Sequence, residues 1–160
     1  MAHFAKLDEN NVVVEVRAVG NDIPTSNGPL GENDMHPDGE TYCSQTFGGI
    51  WKQTSYHNNF RKKFAGIGNI YNQDLDIFTC PQPNPDFTLN ASGDWVGPVP
   101  FPNNLEFDTT GPIDDNDPPT IGPIKMIIIN IVWNVDNQRF EGVDNNGNPH
   151  YWDASTKTWS

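Results

Sequence analysis

Short stretches of alternating apolar and polar residues, separated by polar turns, run along much of the chain. The first stretch is 2–7, and a polar turn at 8–11 separates it from a β-branched stretch at 12–18. Because strand side chains alternate between two faces, this pattern predicts an antiparallel hairpin that is buried on one side. The predicted apolar face of its second strand consists of Val12, Val14, Val16 and Ala18.

Two more strands are predicted, at 50–56 and 125–135. In the first of them, Trp51 and Gln53 share one face. The second is the richer in β-branched residues, and its apolar run 126–132 would promote aggregation if it were left unpaired. We therefore expect this strand to be central in a sheet or to pair with another subunit.

Two long segments show neither the alternation of a strand nor the periodicity of a helix. Residues 20–40 are dense in Pro, Gly, Asn and Asp and predict a surface loop. Residues 98–123 contain seven prolines and several aspartates, which favours an extended arm or linker. No stretch longer than about ten residues combines helical periodicity with caps, so little helix is expected. The predicted organisation is a β domain at 1–98 that includes the loop, a Pro-rich acidic arm at 99–123 and a C-terminal β-meander at 124–160.

An aromatic bracket recurs along the chain. Residues 71–78, 133–140 and 152–159 each contain an aromatic residue, then Asn or Asp, five further residues and a second aromatic, while 89–95 is a shorter version that begins with Leu. A tight turn brings the two ends of such a segment to facing cross-strand positions, where an aromatic pair contributes about 0.2–1 kcal/mol. The Asn or Asp can accept hydrogen bonds from amides of the turn. The brackets predict an all-β fold of short antiparallel hairpins that form a small sandwich or a barrel-like domain.

The length, charge and composition of the chain exclude several classes of function. The 160 residues suffice for one domain or a small domain with an arm, and the net charge of −12 disfavours a nucleic-acid partner. The apolar run 126–129 is far too short to span a membrane, and residues 2–7 are too short and polar for a secretion signal. Synthesis in the cytosol is therefore expected. Cys43 and Cys80 lie in no metal-binding motif, so free thiols are the default, with a disulfide left open.

No complete catalytic or cofactor motif is present. The glycines at 66 and 68 lack the third glycine of a dinucleotide loop, and the four histidines are scattered, so we expect neither an enzyme nor a cofactor nor a metal site. Asp144–Asn148 alternates oxygen ligands like a calcium loop but lacks the EF-hand Gly and Glu, and Asn146-Gly147 favours a hairpin turn. Residues 114–117 have similar ion-binding potential, which the sequence leaves open.

Two sets of residues are candidates for binding a partner. The consecutive basic residues Arg61, Lys62 and Lys63 could meet an acidic neighbouring subunit, or they could form a solvated turn. Trp152 and Trp159 could stack on carbohydrate if they are exposed on their hairpin, or they could belong to the core.

A resemblance to a known class of proteins extends over residues 1–102. The segments that carry it are 1–11, 50–72 and 81–95, and its most specific part is Arg-x-x-Phe-Ala-Gly-Ile-Gly at 61–68. They resemble small virion-associated structural proteins of tailed bacteriophages, especially marine and cyanobacterial ones. The resemblance implies a structural role in the virion, with capsid or tail subunits, or further copies of the chain, as partners.

The leading hypothesis is thus a non-enzymatic capsid decoration or cement protein. A neck, tail or fibre component is the alternative within the same class, and a module that binds host glycans is the alternative from another class. The loop after Arg17 and residues 103–160 lie outside the resemblance.

Overall fold

The computed structural model describes residues 1–26, 28–116 and 118–160. Position 27 of the predicted loop and Asp117 of the possible ion site lie outside the described residues. Strands make up 40% of the chain and helix 7%, which confirms the all-β prediction. The chain forms two compact units: the first is Met1–Pro83 with Leu89–Trp95, and the second is Asn84–Thr88 with Val96–Ser160.

The first unit is built on a three-stranded antiparallel sheet. Its strands are β1 (Ala2–Leu7), β2 (Val13–Val19) and β3 (Ile50–Thr54), and their order is β2-β1-β3. The predicted N-terminal hairpin is therefore confirmed. Both faces of β1 are buried, which places it at the centre of this unit. On one side are Ala2, Phe4, Leu30, Cys43 and Trp51, and on the other are Ala5, Leu7, Val13, Tyr71 and Phe78.

The predicted apolar face of β2 is wrong. Val13 is buried, whereas Val14 is 46% exposed. The reason is a β-bulge, because Lys6 pairs with Glu15 and Leu7 with Val13, which leaves Val14 as an extra residue. An extra residue moves every following side chain to the opposite face.

The predicted surface loop 20–40 is also corrected, because a helix begins within it. Helix α1 (Pro37–Phe47) has Pro at its start and acidic residues in its first turn, both of which suit a helix N-terminus. Leu30 is buried in the core, and the segment before the helix is fixed by the Gln53 side chain. The Gln53 amide accepts from the His36 N–H at 2.6 Å and donates to the Gly31 carbonyl at 2.9 Å.

Four short strands follow. They are β4 (Ile70–Asn72), β5 (Ile77–Thr79), β6 (Thr88–Leu89) and β7 (Trp95–Val96), which pair as β4-β5 and β6-β7.

The second unit contains a five-stranded antiparallel sheet that curls into a nearly closed, barrel-like form. Its strands are β8 (Glu106–Pro112), β9 (Ile121–Asn134), β10 (Arg139–Asp144), β11 (Pro149–Asp153) and β12 (Thr158–Trp159), in the order β12-β11-β10-β9-β8. The meander is as predicted. The Ile-rich strand β9 has a neighbouring strand on each side, but its residues 121–127 pair with β8 and its residues 128–134 with β10, so each half of the strand is paired along one edge. The core of this unit consists of Ile128, Trp133, Phe140, Trp152 and Trp159.

The Pro-rich segment 99–123 is extended, but it is not a free arm. Residues 106–112 form β8 and pair with residues 121–127 of β9. Pro112 lies on an edge strand, and Pro123 lies where β9 pairs with β8 alone, because β10 pairs only with residues 128–134. Both prolines therefore occupy positions at which a missing amide donor is tolerated.

The aromatic brackets close hairpins as predicted. The facing pairs are Tyr71 with Phe78, Trp133 with Phe140 and Trp152 with Trp159. Their ring centroids are 5.3, 4.9 and 5.4 Å apart, respectively. The residue after each first aromatic accepts from a backbone amide of its turn, at 2.9 Å for Asn72, 2.9 Å for Asn134 and 2.8 Å for Asp153.

Candidate interaction surface

Arg61, the first residue of the predicted basic site, is buried. Its side chain is 7% exposed, and Nε donates to Asp76 Oδ1 at 2.7 Å. Its Nη1 donates to Glu40 Oε1 at 2.6 Å and to the Gln53 carbonyl at 2.8 Å. All these partners belong to the same chain, so Arg61 is not available to an acidic neighbour and the prediction is corrected.

The role of Arg61 is to protect the free edge of β3. Gln53 on this edge donates its backbone N–H to Glu40 Oε1 at 2.9 Å and offers its carbonyl to Arg61. Unpaired strand edges invite aggregation, and the Glu40–Arg61 ion pair occupies this one. Burial acts to lower the pKa of Arg61, but the hydrogen bond and negative charge of Glu40 outweigh it and raise the pKa above its usual value. Arg61 therefore remains charged.

The two lysines that follow bind different partners. Lys62 Nζ donates to the Ser92 carbonyl at 2.7 Å and forms an ion pair with Asp94. Lys63 Nζ lies 3.1 Å from Cys80 Sγ. The three consecutive basic residues thus have separate sets of partners within the first unit and do not form a continuous basic patch.

The two tryptophans proposed for carbohydrate stacking are core residues. Trp152 and Trp159 are each 6% exposed and pack against one another. Trp159 also donates its indole N–H to the Asn104 carbonyl at 2.7 Å. Stacking on a sugar requires an open ring face, which neither residue presents. The core reading of this pair is therefore the correct one.

The possible calcium loop is a hairpin turn. Asp144 Oδ1 accepts from the backbone N–H groups of Asn146 at 2.8 Å and Asn148 at 2.9 Å, and Oδ2 accepts from Asn148 Nδ2 at 2.9 Å. Hydrogen bonds led by that of the Asn148 side chain lower the pKa of Asp144 to about 2. The turn joins β10 and β11, as the alternative reading predicted.

In the second candidate ion loop, Asp114 Oδ1 accepts from the Thr120 N–H at 2.9 Å. The part of the chain that the structure describes contains no group of three or more His, Cys, Asp or Glu side chains that could hold a metal ion.

The structure gathers exposed apolar side chains on the outer side of β9. Met126 and Ile128 point into the core, at 7% and 2% exposure. Ile127, Ile129 and Val132 point outward, and they are 54%, 44% and 60% exposed. A strand that is apolar on both faces is typical of a sheet covered on both sides, yet among the described residues only the inner face of β9 is covered.

Neighbouring strands extend these three residues into a continuous surface. Val143 of β10 lies opposite Ile129, and Pro149 of β11 lies opposite Val143. We call this surface the outer apolar face, and it consists of Ile127, Ile129, Val132, Val143 and Pro149. It extends about 13 Å along β9 and about 10 Å across the sheet, by standard strand dimensions. The patch is small beside the roughly 800 Å² that each partner buries in a typical interface, so the polar surface around it would form most of the contact area.

The sequence indicated this surface only in part. The apolar run at 126–132 signals a strand that needs cover on both faces, but the side chains that would remain exposed could not be identified from the alternation. The signal that would have identified them is the coincidence of an apolar run with an antiparallel meander, since such sheets commonly leave one face in water.

The comparisons with known proteins give no match: no family model, no curated protein and no solved structure is similar to the chain. None of the helical structure within the described residues is long and apolar enough to cross a membrane.

Proposed function

We propose that the protein is a non-enzymatic structural component of a tailed-phage particle, and specifically a decoration or cement protein that binds neighbouring capsid subunits. The observation that carries this proposal is the outer apolar face. The exposed β-branched side chains, held together on one side of the sheet, give a partner an apolar surface to pack against. In the free protein this face is in contact with water, and docking would remove it from water.

The resemblance to small virion proteins supports the same class of function. Its most specific segment, 61–68, ends in a turn that is well fixed: the Gly66 N–H donates to Asn69 Oδ1 at 2.9 Å, and the Gly68 N–H donates to the Val13 carbonyl at 2.8 Å. Ile67, at the tip of this turn, is 75% exposed. An isoleucine presented on a rigid turn costs little conformational entropy to bind, which suits a contact between subunits.

The test uses a phage that carries the gene and two matched triple variants. Ile127→Thr, Ile129→Thr and Val132→Thr together remove apolar groups from the outer apolar face but retain β-branched side chains. The control combines Val14→Thr, Ile50→Thr and Val96→Thr, which alter exposed apolar residues elsewhere; these are 46%, 54% and 43% exposed.

Quantitative mass spectrometry of purified particles then measures the copies incorporated. We expect the face variant to fold, by circular dichroism, and to be lost from particles, while the control is retained. Normal incorporation of the folded face variant would refute docking through this face. A copy number close to that of the major shell subunit supports decoration, and a few copies per particle supports the neck, tail or fibre alternative. Absence of the wild-type chain from particles refutes the virion assignment.

A further inference from the structure

We propose that the partner surface has an apolar centre and a rim rich in Lys and Arg. This inference rests on the proposed function, because it describes the protein that the outer apolar face would bind. It is argued from the charges that surround the face and from the partners that those charges already have.

The rim of the outer apolar face is acidic. Alternation along the strands places six charged residues on the outer side of the sheet around the face. The carboxylates are Glu106, Asp108, Glu141 and Asp153, and the cations are Lys125 and Arg139. Four negative charges against two positive charges leave the rim with a net charge of −2.

Both cations of the rim are already paired within the chain. Lys125 Nζ lies 3.0 Å from Glu106 Oε2, and Asp108 is the cross-strand neighbour of Lys125. Arg139 Nε lies 2.9 Å from Glu141 Oε1, and its guanidinium is 4.0 Å from the centre of the Tyr151 ring. Asp108 and Asp153 are therefore the surplus negative charges that a partner would meet.

A second copy of the chain is a poor occupant for this face. Each copy has a net charge of −12, and two copies docked face to face would bring two acidic rims together. At physiological ionic strength charges interact over about 8 Å, so opposed rims would repel one another across an interface. A partner with a basic rim instead gains attraction at every surplus carboxylate, which mainly accelerates association.

The probe is a particle produced by phage that lacks the gene, to which purified protein is added back. Association rates are measured at low and at physiological ionic strength for wild type, Asp108→Lys and Asp74→Lys. Asp74 is an exposed aspartate in the turn between β4 and β5, so both variants change the net charge equally. Asp108→Lys also places a second lysine opposite Lys125, and the stability of each variant is therefore measured alongside its rate. Folding of each variant is checked by circular dichroism, and sedimentation equilibrium measures self-association.

We expect wild-type association to slow as salt is added, and Asp108→Lys to associate about tenfold more slowly than wild type at low salt. Asp74→Lys should associate like wild type. Equal rates for the two variants, or wild-type binding that does not weaken with salt, would overturn the basic rim while leaving the proposed function intact. If the free protein forms dimers and the triple face variant does not, the outer apolar face binds a second copy of the chain, and the inference of a basic partner is overturned. Failure of wild type to bind the particles at all refutes the proposed function, and the inference with it.

Discussion

Replacing Trp133 by Ala tests the aromatic brackets most directly. Trp133 is buried in the second unit, its ring centre is 4.9 Å from that of Phe140, and its Nε1 donates to Asp86 Oδ2 at 3.2 Å. Burial of a Trp side chain removes about 150–250 Å² from water, and Trp→Ala in a core typically costs about 3–5 kcal/mol. Because a domain of this kind is stable by about 5–15 kcal/mol in total, the substitution should consume much of the stability of this unit.

The measurement is urea unfolding combined with hydrogen exchange followed by mass spectrometry. Exchange resolves peptides of β9 and β10, so the loss can be assigned to the unit that contains Trp133. The neighbouring Val132 is 60% exposed and is the matched control, because Val132→Ala should cost less than about 0.5 kcal/mol. A cost below about 1 kcal/mol for Trp133→Ala, or an equal cost for Val132→Ala, contradicts the pairing argument.

Three further results are expected. Arg61→Leu should destabilise the first unit by about 1–3 kcal/mol, because Glu40 and the Gln53 carbonyl lose a charged hydrogen-bond donor while Glu40 keeps Lys52 at 3.4 Å. Lys62→Leu should cost less than about 1 kcal/mol, and similar costs for the two variants in urea unfolding would contradict the edge-capping role. The pKa of Asp144 is lowered from 3.8 to about 2 in the folded protein, so its stabilisation is present above about pH 4 and lost as the pH falls toward 2; Asp144→Asn should flatten that loss, and parallel pH profiles would contradict it. Burial, and to a lesser extent the charge of Glu40, raise the pKa of the Cys43 thiol to about 11, whereas Cys80 is exposed. Iodoacetamide should therefore label Cys80 alone in the native protein, and equally fast labelling of both thiols would contradict this prediction.

The hairpins could be predicted because the residues that specify them are local. Besides the three full-length brackets, three loops, one of them within the shorter bracket, share a five-residue turn in which the first side chain, Asp or Asn, accepts from the amides of the third and fifth residues. The fourth residue has a positive φ, which is 61° for Asn11, 75° for Gly93 and 86° for Gly147. Asn and Gly adopt this conformation at low cost, so the sequence alone identifies such turns.

The candidate site was less predictable, because its character depends on distant partners. Arg61 looks like part of a surface basic run until Glu40 and Asp76 are brought against it, and these lie 21 and 15 residues away along the chain. Trp152 and Trp159 were correctly placed opposite one another, but the spacing of a hairpin does not reveal which of its faces meets the core. The alternation of apolar and polar residues predicts which strands pair. It does not predict which side chains are exposed where a bulge interrupts the strand.

A bulge of this kind lies at the centre of β9. Val132 pairs with Glu141 and Ile129 with Val143, so the two residues between them on β9 lie opposite Gly142 alone. Asn130 has a φ of 54°, which marks the irregular position. A Cβ on Gly142 would lie 2.5 Å from Ile128 Cγ2 and 3.1 Å from the Ile129 carbonyl oxygen. Only glycine leaves room for the extra residue on the facing strand.

This extra residue lets one strand serve the core and the outer apolar face together. Ile127, Ile129 and Trp133 are separated by even numbers of residues, so an unbroken strand would point all three to the same side. With the bulge, the two isoleucines face outward while Trp133 turns inward to meet Phe140. The bulge formed by Asn130 opposite Gly142 thus sets both the inward direction of Trp133 and the outward direction of the isoleucines in the outer apolar face. An alternation rule applied to this strand would have exposed the tryptophan or buried the isoleucines, and it would have missed the surface in either case.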